Sequence, residues 1–288
     1  MQTTLLDTSQ LLPLTCSRKG TCCHGNQVLI NPWELYVLAQ EKKCTPKAFY
    51  QQYIDEEGMR LRFEGAEMRG KKACNLYVSD YGCSVHEARP LACRLFPLGR
   101  MVQQEQVNYL FQGTTFPCLS GCEEVLHLPQ LTVETYLKEQ ETDQFERAQD
   151  AYLEVVQNLA DNAFIFLLDS GLSNSGDTIT LTEWRRLGAC SPAQLRSIIP
   201  NEWFEILLFP SVSGVKESAF DFVQAHDELL QVSIESKYNN QLTFKELSDA
   251  SCLMMALALL LSKTIGADAK GLSELWIETA QSHGALEA

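Results

Sequence analysis

The cysteines of this sequence are numerous and closely grouped enough to act together in a chemical site. Eight of the 11 cysteines stand in short groups in the first part of the chain. They are Cys16, Cys22, Cys23, Cys74, Cys83, Cys93, Cys118 and Cys122. Thiolate is a soft anionic ligand that suits Zn²⁺ and iron–sulfur clusters, and four thiolates complete either type of site. We therefore predict that these eight cysteines are the ligands of one or two metal centres.

Cationic side chains lie close to these cysteines in the sequence. Arg89 and Arg94, for example, flank Cys93. Cations lower the pKa of a nearby thiol and offset the charge of the thiolate. Either arginine can also bind an anion, although hydrogen bonds to thiolates or loop carbonyls are the more frequent use. The surroundings therefore favour a thiolate site, and the spacing leaves zinc and an iron–sulfur cluster as alternatives.

The exact ligand set has alternatives. Neighbouring side chains of an extended chain point to opposite sides, so Cys22 and Cys23 either serve two metals or divide between ligation and packing. His24 and His86 are alternative nitrogen ligands. The remaining cysteines stand away from the groups, and we interpret them as structural. They are Cys44, Cys190 and Cys252.

Three cysteine motifs follow one another in a characteristic order. They are Gly20-Thr-Cys22-Cys23, Cys74-x₈-Cys83 and Arg89-Pro90-Leu-Ala-Cys93-Arg94-Leu-Phe96-Pro97, with Cys118 and Cys122 as a trailing pair. This order resembles that of the YkgJ-type cysteine-cluster family, which is described as chelating zinc or iron. The family usually has a further cysteine before the paired cysteines, where this chain has only Cys16. The related cluster of flagellin lysine methylases implies an alternative: an iron–sulfur enzyme doing redox or S-adenosylmethionine-dependent methyl-transfer chemistry on a protein.

Charge and cysteine content divide the chain at about the same position. Residues 1–128 hold 13 Lys and Arg against 13 Asp and Glu, and residues 129–288 hold 10 against 24. The second part therefore carries the whole net charge of −14. We predict an α+β fold, with a small loop-rich metal-centred domain over residues 1–128 and an acidic all-α domain over residues 129–288.

The composition also limits the partners. An acidic chain repels phosphates instead of releasing their counterions, so we expect no nucleic-acid partner. The acidic helical domain would suit a basic protein partner. The longest apolar run, Cys252 to Leu261, is too short to span a bilayer, and residues 1–15 lack the features of a signal peptide. We expect a cytoplasmic protein, because thiols stay reduced there.

Local patterns predict the secondary structure around these motifs. We expect an irregular arm over residues 1–15, a strand over residues 60–67 and a hairpin around Asp80. Apolar residues at steps of three and four predict a helix over residues 132–168 with a break near Thr142. Similar patterns predict further helices down to the end of the chain, including one over residues 244–264.

Overall fold

The computed structural model describes residues 3–12, 20–55, 57–103, 106–112, 127–212 and 218–288. Cys16, Cys118 and Cys122 lie outside these ranges. The chain divides into two compact units. Unit 1 comprises Met1–Val28, Val37–Ile54 and Leu61–Glu146, and unit 2 comprises Leu29–Tyr36, Asp55–Arg60 and Arg147–Ala288. The predicted α+β class is confirmed, while the predicted domain boundary at residue 128 stays a prediction.

Most of the described strands are short and lie before residue 133. They are β1 (Thr3–Leu6), β2 (Leu11–Leu12), β3 (Ile54–Asp55), β4 (Arg60–Leu61), β5 (Glu67–Met68), β6 (Lys71–Lys72), β7 (Tyr77–Val78), β8 (Gly82–Cys83), β9 (Gly99–Gln103), β10 (Gln106–Gln112) and β11 (Leu131–Thr132). Within unit 1, β1, β10 and β9 form an antiparallel sheet in that order. Strand β2 pairs with β11, and β5–β6 and β7–β8 are antiparallel hairpins.

The four longest of the described helices begin at or after Asp143. The helices are α1 (Pro32–Glu41), α2 (Pro46–Tyr53), α3 (Leu91–Leu95), α4 (Val133–Glu139), α5 (Asp143–Phe164), α6 (Ile179–Ala189), α7 (Pro192–Ile198), α8 (Asn201–Leu208), α9 (Ala219–Lys237), α10 (Phe244–Thr264) and α11 (Ala269–Ser282). In the described ranges, no helix has the length and apolar character needed to cross a membrane.

The expectation of an irregular arm over residues 1–15 is wrong where the structure describes it. Thr4 pairs with Phe111 and Leu6 with Tyr109, so the arm supplies an edge strand to the sheet of β10 and β9. Its four residues do not alternate between polar and apolar side chains, and their pairing partners lie about a hundred positions along the chain. A strand of this kind is stabilised by its distant neighbour and leaves little local signal.

The predicted strand over residues 60–67 is also largely wrong. Only its two ends pair, as β4 and β5. The segment between them bonds to two different parts of the chain. The Arg62 amide donates to the Tyr53 carbonyl at 2.8 Å, whereas the Gly65 amide donates to the Ala73 carbonyl at 2.9 Å and the Ala73 amide donates to the Ala66 carbonyl at 3.0 Å. This change of partner interrupts the regular ladder that a continuous strand would form.

The predicted hairpin and helix break are confirmed. Strands β7 and β8 flank a turn in which Asp80 and Gly82 have φ angles of 60° and 95°. Helix α4 ends at Glu139 and α5 begins at Asp143, on either side of Glu141, whose φ of 52° is left-handed. A left-handed residue cannot continue a right-handed helix, and this explains the break.

Helix α10 forms the centre of unit 2. It begins and ends at the predicted residues, and Thr243 and Glu246 form a capping box at its start. All residues from Met254 to Leu261 have no exposed surface, so the helix is buried on every side. It packs against α6, α7, α8 and α11. Unit 1 has a smaller apolar cluster, formed by Leu12, Leu98, Val133 and Tyr136.

Candidate metal centre

A tight turn carries the paired cysteines. Cys22 and Cys23 lie on a 3₁₀ turn that begins after Gly20, which has a φ of 76°. A β-carbon at Gly20 would overlap the ring of Tyr77, so both the backbone angle and the close approach require glycine there. The Cys23 amide donates to the Gly20 carbonyl at 2.9 Å, which closes the turn.

Backbone hydrogen bonds join this turn to the second cysteine segment. The Cys74 amide donates to the Cys23 carbonyl at 2.7 Å, and the Tyr77 amide donates to the Cys74 carbonyl at 2.9 Å. Tyr77 begins the hairpin that carries Cys83 on its second strand. Main-chain hydrogen bonds therefore link the segments of Cys23, Cys74 and Cys83. Cys93 follows on α3, where its amide donates to the Pro90 carbonyl at 2.9 Å.

Burial makes most of these thiols hard to ionise. It raises the pKa of Cys74 to about 11 and raises the pKa of Cys83. The pKa of Cys93 lies well above its ordinary value, because the thiol is buried and because thiolates at Cys22, Cys74 and Cys83 would repel its charge. A group of thiolates in this region is thus unfavourable unless a cation compensates their charge.

The paired thiols affect each other's ionisation. Hydrogen bonding from Cys23 lowers the pKa of Cys22 to about 7, and the same interaction together with burial raises the pKa of Cys23. The charges of Cys83 and Cys93 raise the pKa of Cys23 further. Cysteines from three chain segments therefore influence one another within unit 1. By its chemistry, this set of buried soft donors fits Zn²⁺ or an iron-based centre.

Within the described ranges, no group of three or more His, Cys, Asp or Glu side chains stands ready to hold a metal ion. Three of the eight predicted ligands, Cys16, Cys118 and Cys122, fall outside those ranges. The assignment of individual cysteines as ligands therefore stays a prediction.

Arg94 ties helix α3, which also carries Cys93, to the loop before it and to the link between α4 and α5. The residue is 3% exposed. Its Nε donates to the Arg89 carbonyl at 2.8 Å, its Nη1 donates to the Gln140 carbonyl at 2.6 Å, and its Nη2 donates to the Glu87 carbonyl. The guanidinium also lies 4.1 Å from the centre of the Phe145 ring. Of the two roles considered for Arg94, the structure shows hydrogen bonding to loop carbonyls.

Arg89 acts on the thiols through its charge. Its Nε donates to the His86 carbonyl at 2.7 Å. Its positive charge acts to lower the pKa of Cys22, Cys83 and Cys93, against the larger effect of burial on the last two. One cation thus interacts with cysteines from three separate segments.

Sequence reasoning missed Lys42 as a neighbour of the cluster. Its Nζ donates to the Ser84 hydroxyl at 2.8 Å, next to Cys83, and its charge acts to lower the pKa of Cys83. Lys42 follows α1 and stands 41 positions before Cys83 in the chain. Nothing in the local spacing of cysteines could have indicated this contact.

His24 is fixed by its first ring nitrogen. A carbonyl only accepts, so Nδ1 donates to the Gly20 carbonyl, at 2.8 Å. The ring is 5% exposed and contacts Tyr77 edge-on, with ring centres 5.1 Å apart. In the neutral ring, Nε2 then carries the lone pair. The alternative of His24 as a nitrogen ligand remains a prediction.

The cysteines of unit 2 have different surroundings. Cys190 is buried, and its thiol donates to the Arg186 carbonyl at 3.4 Å. Burial raises the pKa of Cys252 to about 12, and the neighbouring carboxylates of Glu183 and Asp249 raise the pKa further. These contacts fit packing roles, and the interpretation of both residues as structural cysteines stays a prediction.

Comparison with known families supplies the remaining observation. Residues 15–112 match the CxxCxxCC family, described as a "putative zinc- or iron-chelating domain". The match covers about a third of the chain and ends before the helical second part. The predicted resemblance is confirmed, and the predicted cofactor class, zinc or iron, agrees with the description. No curated protein and no solved structure gives a significant match to the chain.

The CxxCxxCC domain contains most of the predicted ligands. Six of the eight fall within residues 15–112, and Cys118 and Cys122 follow the matched region. The hairpin cysteine Cys83 and the Arg94 contacts to the α3 loop also lie in it. The matched region thus brings together the described thiols that influence one another's pKa.

Proposed function

We propose that this chain is a metal-binding protein that holds zinc or an iron–sulfur centre through its cysteine cluster, for metal handling or assembly with a protein partner. The main support is that charges on cysteines of other segments raise the pKa of Cys23 and of Cys93, so these thiols lie within electrostatic reach of one another in unit 1. The family match to a zinc- or iron-chelating domain supports the same conclusion.

The proposed ligands come from the eight cysteines predicted from the sequence. Cys22, Cys23, Cys74, Cys83 and Cys93 belong to the described part of unit 1, and Cys16, Cys118 and Cys122 complete the set. When bound, zinc or iron compensates the thiolate charge that burial makes costly. Metal affinity then contributes directly to the folding of this loop-rich unit.

The acidic second part is the proposed contact surface for a partner. Residues 129–288 carry all of the net negative charge, so a partner with a basic surface would be attracted over a long range. We also propose a cytoplasmic location, where the thiols stay reduced and free to bind metal.

Metal analysis and an absorption spectrum after anaerobic purification test this function. We expect stoichiometric zinc or iron, and alkylation of the cluster cysteines should be slower in the loaded protein than after chelation. A colourless zinc protein excludes the iron–sulfur form. A brown protein whose spectrum responds to dithionite or S-adenosylmethionine favours the enzyme alternative. Absence of both metals, with every thiol equally reactive, contradicts the proposal.

A further inference from the structure

Two cations stand beside the cysteine cluster of a chain that is strongly acidic as a whole. Lys42 is held next to Cys83 through its 2.8 Å hydrogen bond to Ser84, and Arg89 lies four positions before Cys93. Both charges act on Cys83. Two positive charges therefore act on the same thiol, although the chain carries a net charge of −14.

The terminal nitrogens of Arg89 are available to a ligand. Among the described residues the guanidinium makes one hydrogen bond, from Nε to the His86 carbonyl, and none from Nη1 or Nη2. Arg94, five residues later, uses Nε, Nη1 and Nη2 on loop carbonyls. Arg89 is half-buried, and its terminal nitrogens are not among the buried polar atoms of the described residues that lack a partner, so they are accessible from solvent. A half-buried guanidinium in this state favours an anionic acceptor.

We propose that Arg89, assisted by Lys42, binds a carboxylate group beside the metal centre. This inference rests on the proposed function, whose ligand class it names. Two parallel N–H groups match the two oxygens of a carboxylate, whereas one sulfur atom presents a single acceptor. A monoanion also meets less repulsion than a phosphate dianion next to several thiolates in an acidic chain.

The test treats the metal-loaded protein with the arginine reagent phenylglyoxal, in the presence and absence of acetate. Peptide mass spectrometry measures the modification rate of each arginine. Acetate at ten times its dissociation constant should slow modification of Arg89 about tenfold, because the reagent reaches only the unliganded fraction. Sodium chloride at the same ionic strength should have little effect.

Arg62 is the internal control in the same sample. Like Arg89 it is half-buried, and its Nε donates to one carbonyl, that of Ile54, at 2.8 Å. Its charge is not among the groups that shift the pKa of the described cluster thiols. Acetate should leave its modification rate nearly unchanged. Lys42→Gln should weaken acetate protection of Arg89 several-fold, and Lys43→Gln, which removes the same charge from an exposed neighbour, should not.

Four results would overturn the carboxylate site. They are equal protection of Arg62 and Arg89, equal protection by chloride, protection by inorganic phosphate but not by acetate, and failure of Arg89 to react without acetate. Metal content is measured on the same preparation. Absence of both zinc and iron would contradict the proposed function. A metal-loaded protein in which acetate does not protect Arg89 would contradict the carboxylate site alone.

Discussion

The two units place their cysteines in opposite environments. In unit 1, cysteines from three segments influence one another's ionisation and two cations stand beside them. In unit 2, Cys190 donates to a carbonyl of its own helix, and the surrounding core is built on the fully buried residues Met254–Leu261 of α10. Clustered thiols thus accompany short strands, whereas the thiols of unit 2 lie among helices. Unit 1 also buries apolar side chains such as Leu38 and Phe49, and we infer that metal adds to this burial the stabilisation that the short strands do not provide.

The largest expected difference comes from removing one thiol in each unit. Cys93→Ser should lower metal content and destabilise unit 1 by on the order of 3 kcal/mol or more, because a proposed ligand is lost. Cys190→Ser should cost about 1 kcal/mol, since serine can donate to the same carbonyl. Metal analysis and urea unfolding measure both effects. Equal midpoints and equal metal content would show that the thiols of the two units do not differ in role.

The role of Arg94 in holding helix α3 in place can be tested separately from the role of the Cys93 thiol. Arg94→Gln should destabilise unit 1 by about 3 kcal/mol, because up to three buried carbonyls lose their donors. Arg62→Gln removes a half-exposed arginine from the same unit and serves as the control, with an expected loss of about 1 kcal/mol. If both variants unfold at the same urea concentration, Arg94 does not have the structural role described here.

Acid should act on unit 2 through a buried histidine. His226 has no exposed surface; its Nε2 donates to the Ile206 carbonyl at 3.0 Å, and its Nδ1 accepts from the Tyr152 hydroxyl at 3.1 Å. Burial lowers the pKa of His226 to about 4, below its usual value of 6.5. The unfolded chain therefore binds more protons between these values, and stability falls as the pH drops from 6.5 to 4.

The size of this effect follows from the shift of the pKa. The two values correspond to a loss of about 3 kcal/mol once the pH is below both. His226→Gln should lower stability at neutral pH and flatten the pH dependence of unfolding over this window. Urea unfolding at several pH values measures both. An unchanged slope in the variant would assign the acid sensitivity to other groups.

The smallest expected effect concerns the start of α10. Thr243→Ala removes the hydroxyl that accepts from the Glu246 amide at 3.3 Å, and should cost about 1 kcal/mol. Unit 2 alone should respond, and metal content should not change. A loss of metal in this variant would mean that the cluster depends on the helical core, contrary to the division described above.

The sequence predicted those features whose cause is local. Helix α10 has its capping residues beside it, and the hairpin of β7 and β8 has its turn residues between its strands. Strand β1 was missed because its pairing partner is β10, far along the chain. For the same reason Lys42 was missed: its contact with Ser84 depends on the folded backbone. The cysteine motifs predicted the family match over residues 15–112, whereas the partition of ligands depends on distances that spacing does not encode.

The left-handed residue Glu141 has a consequence for insertions and deletions. The carbonyl of Gln140, which receives Arg94, directly precedes it in the short link between α4 and α5. Adding or removing one residue in this link would rotate the carbonyl away from the guanidinium. Relatives that keep the hydrogen bond from Arg94 to the Gln140 carbonyl should therefore keep the length of this link and vary in length elsewhere.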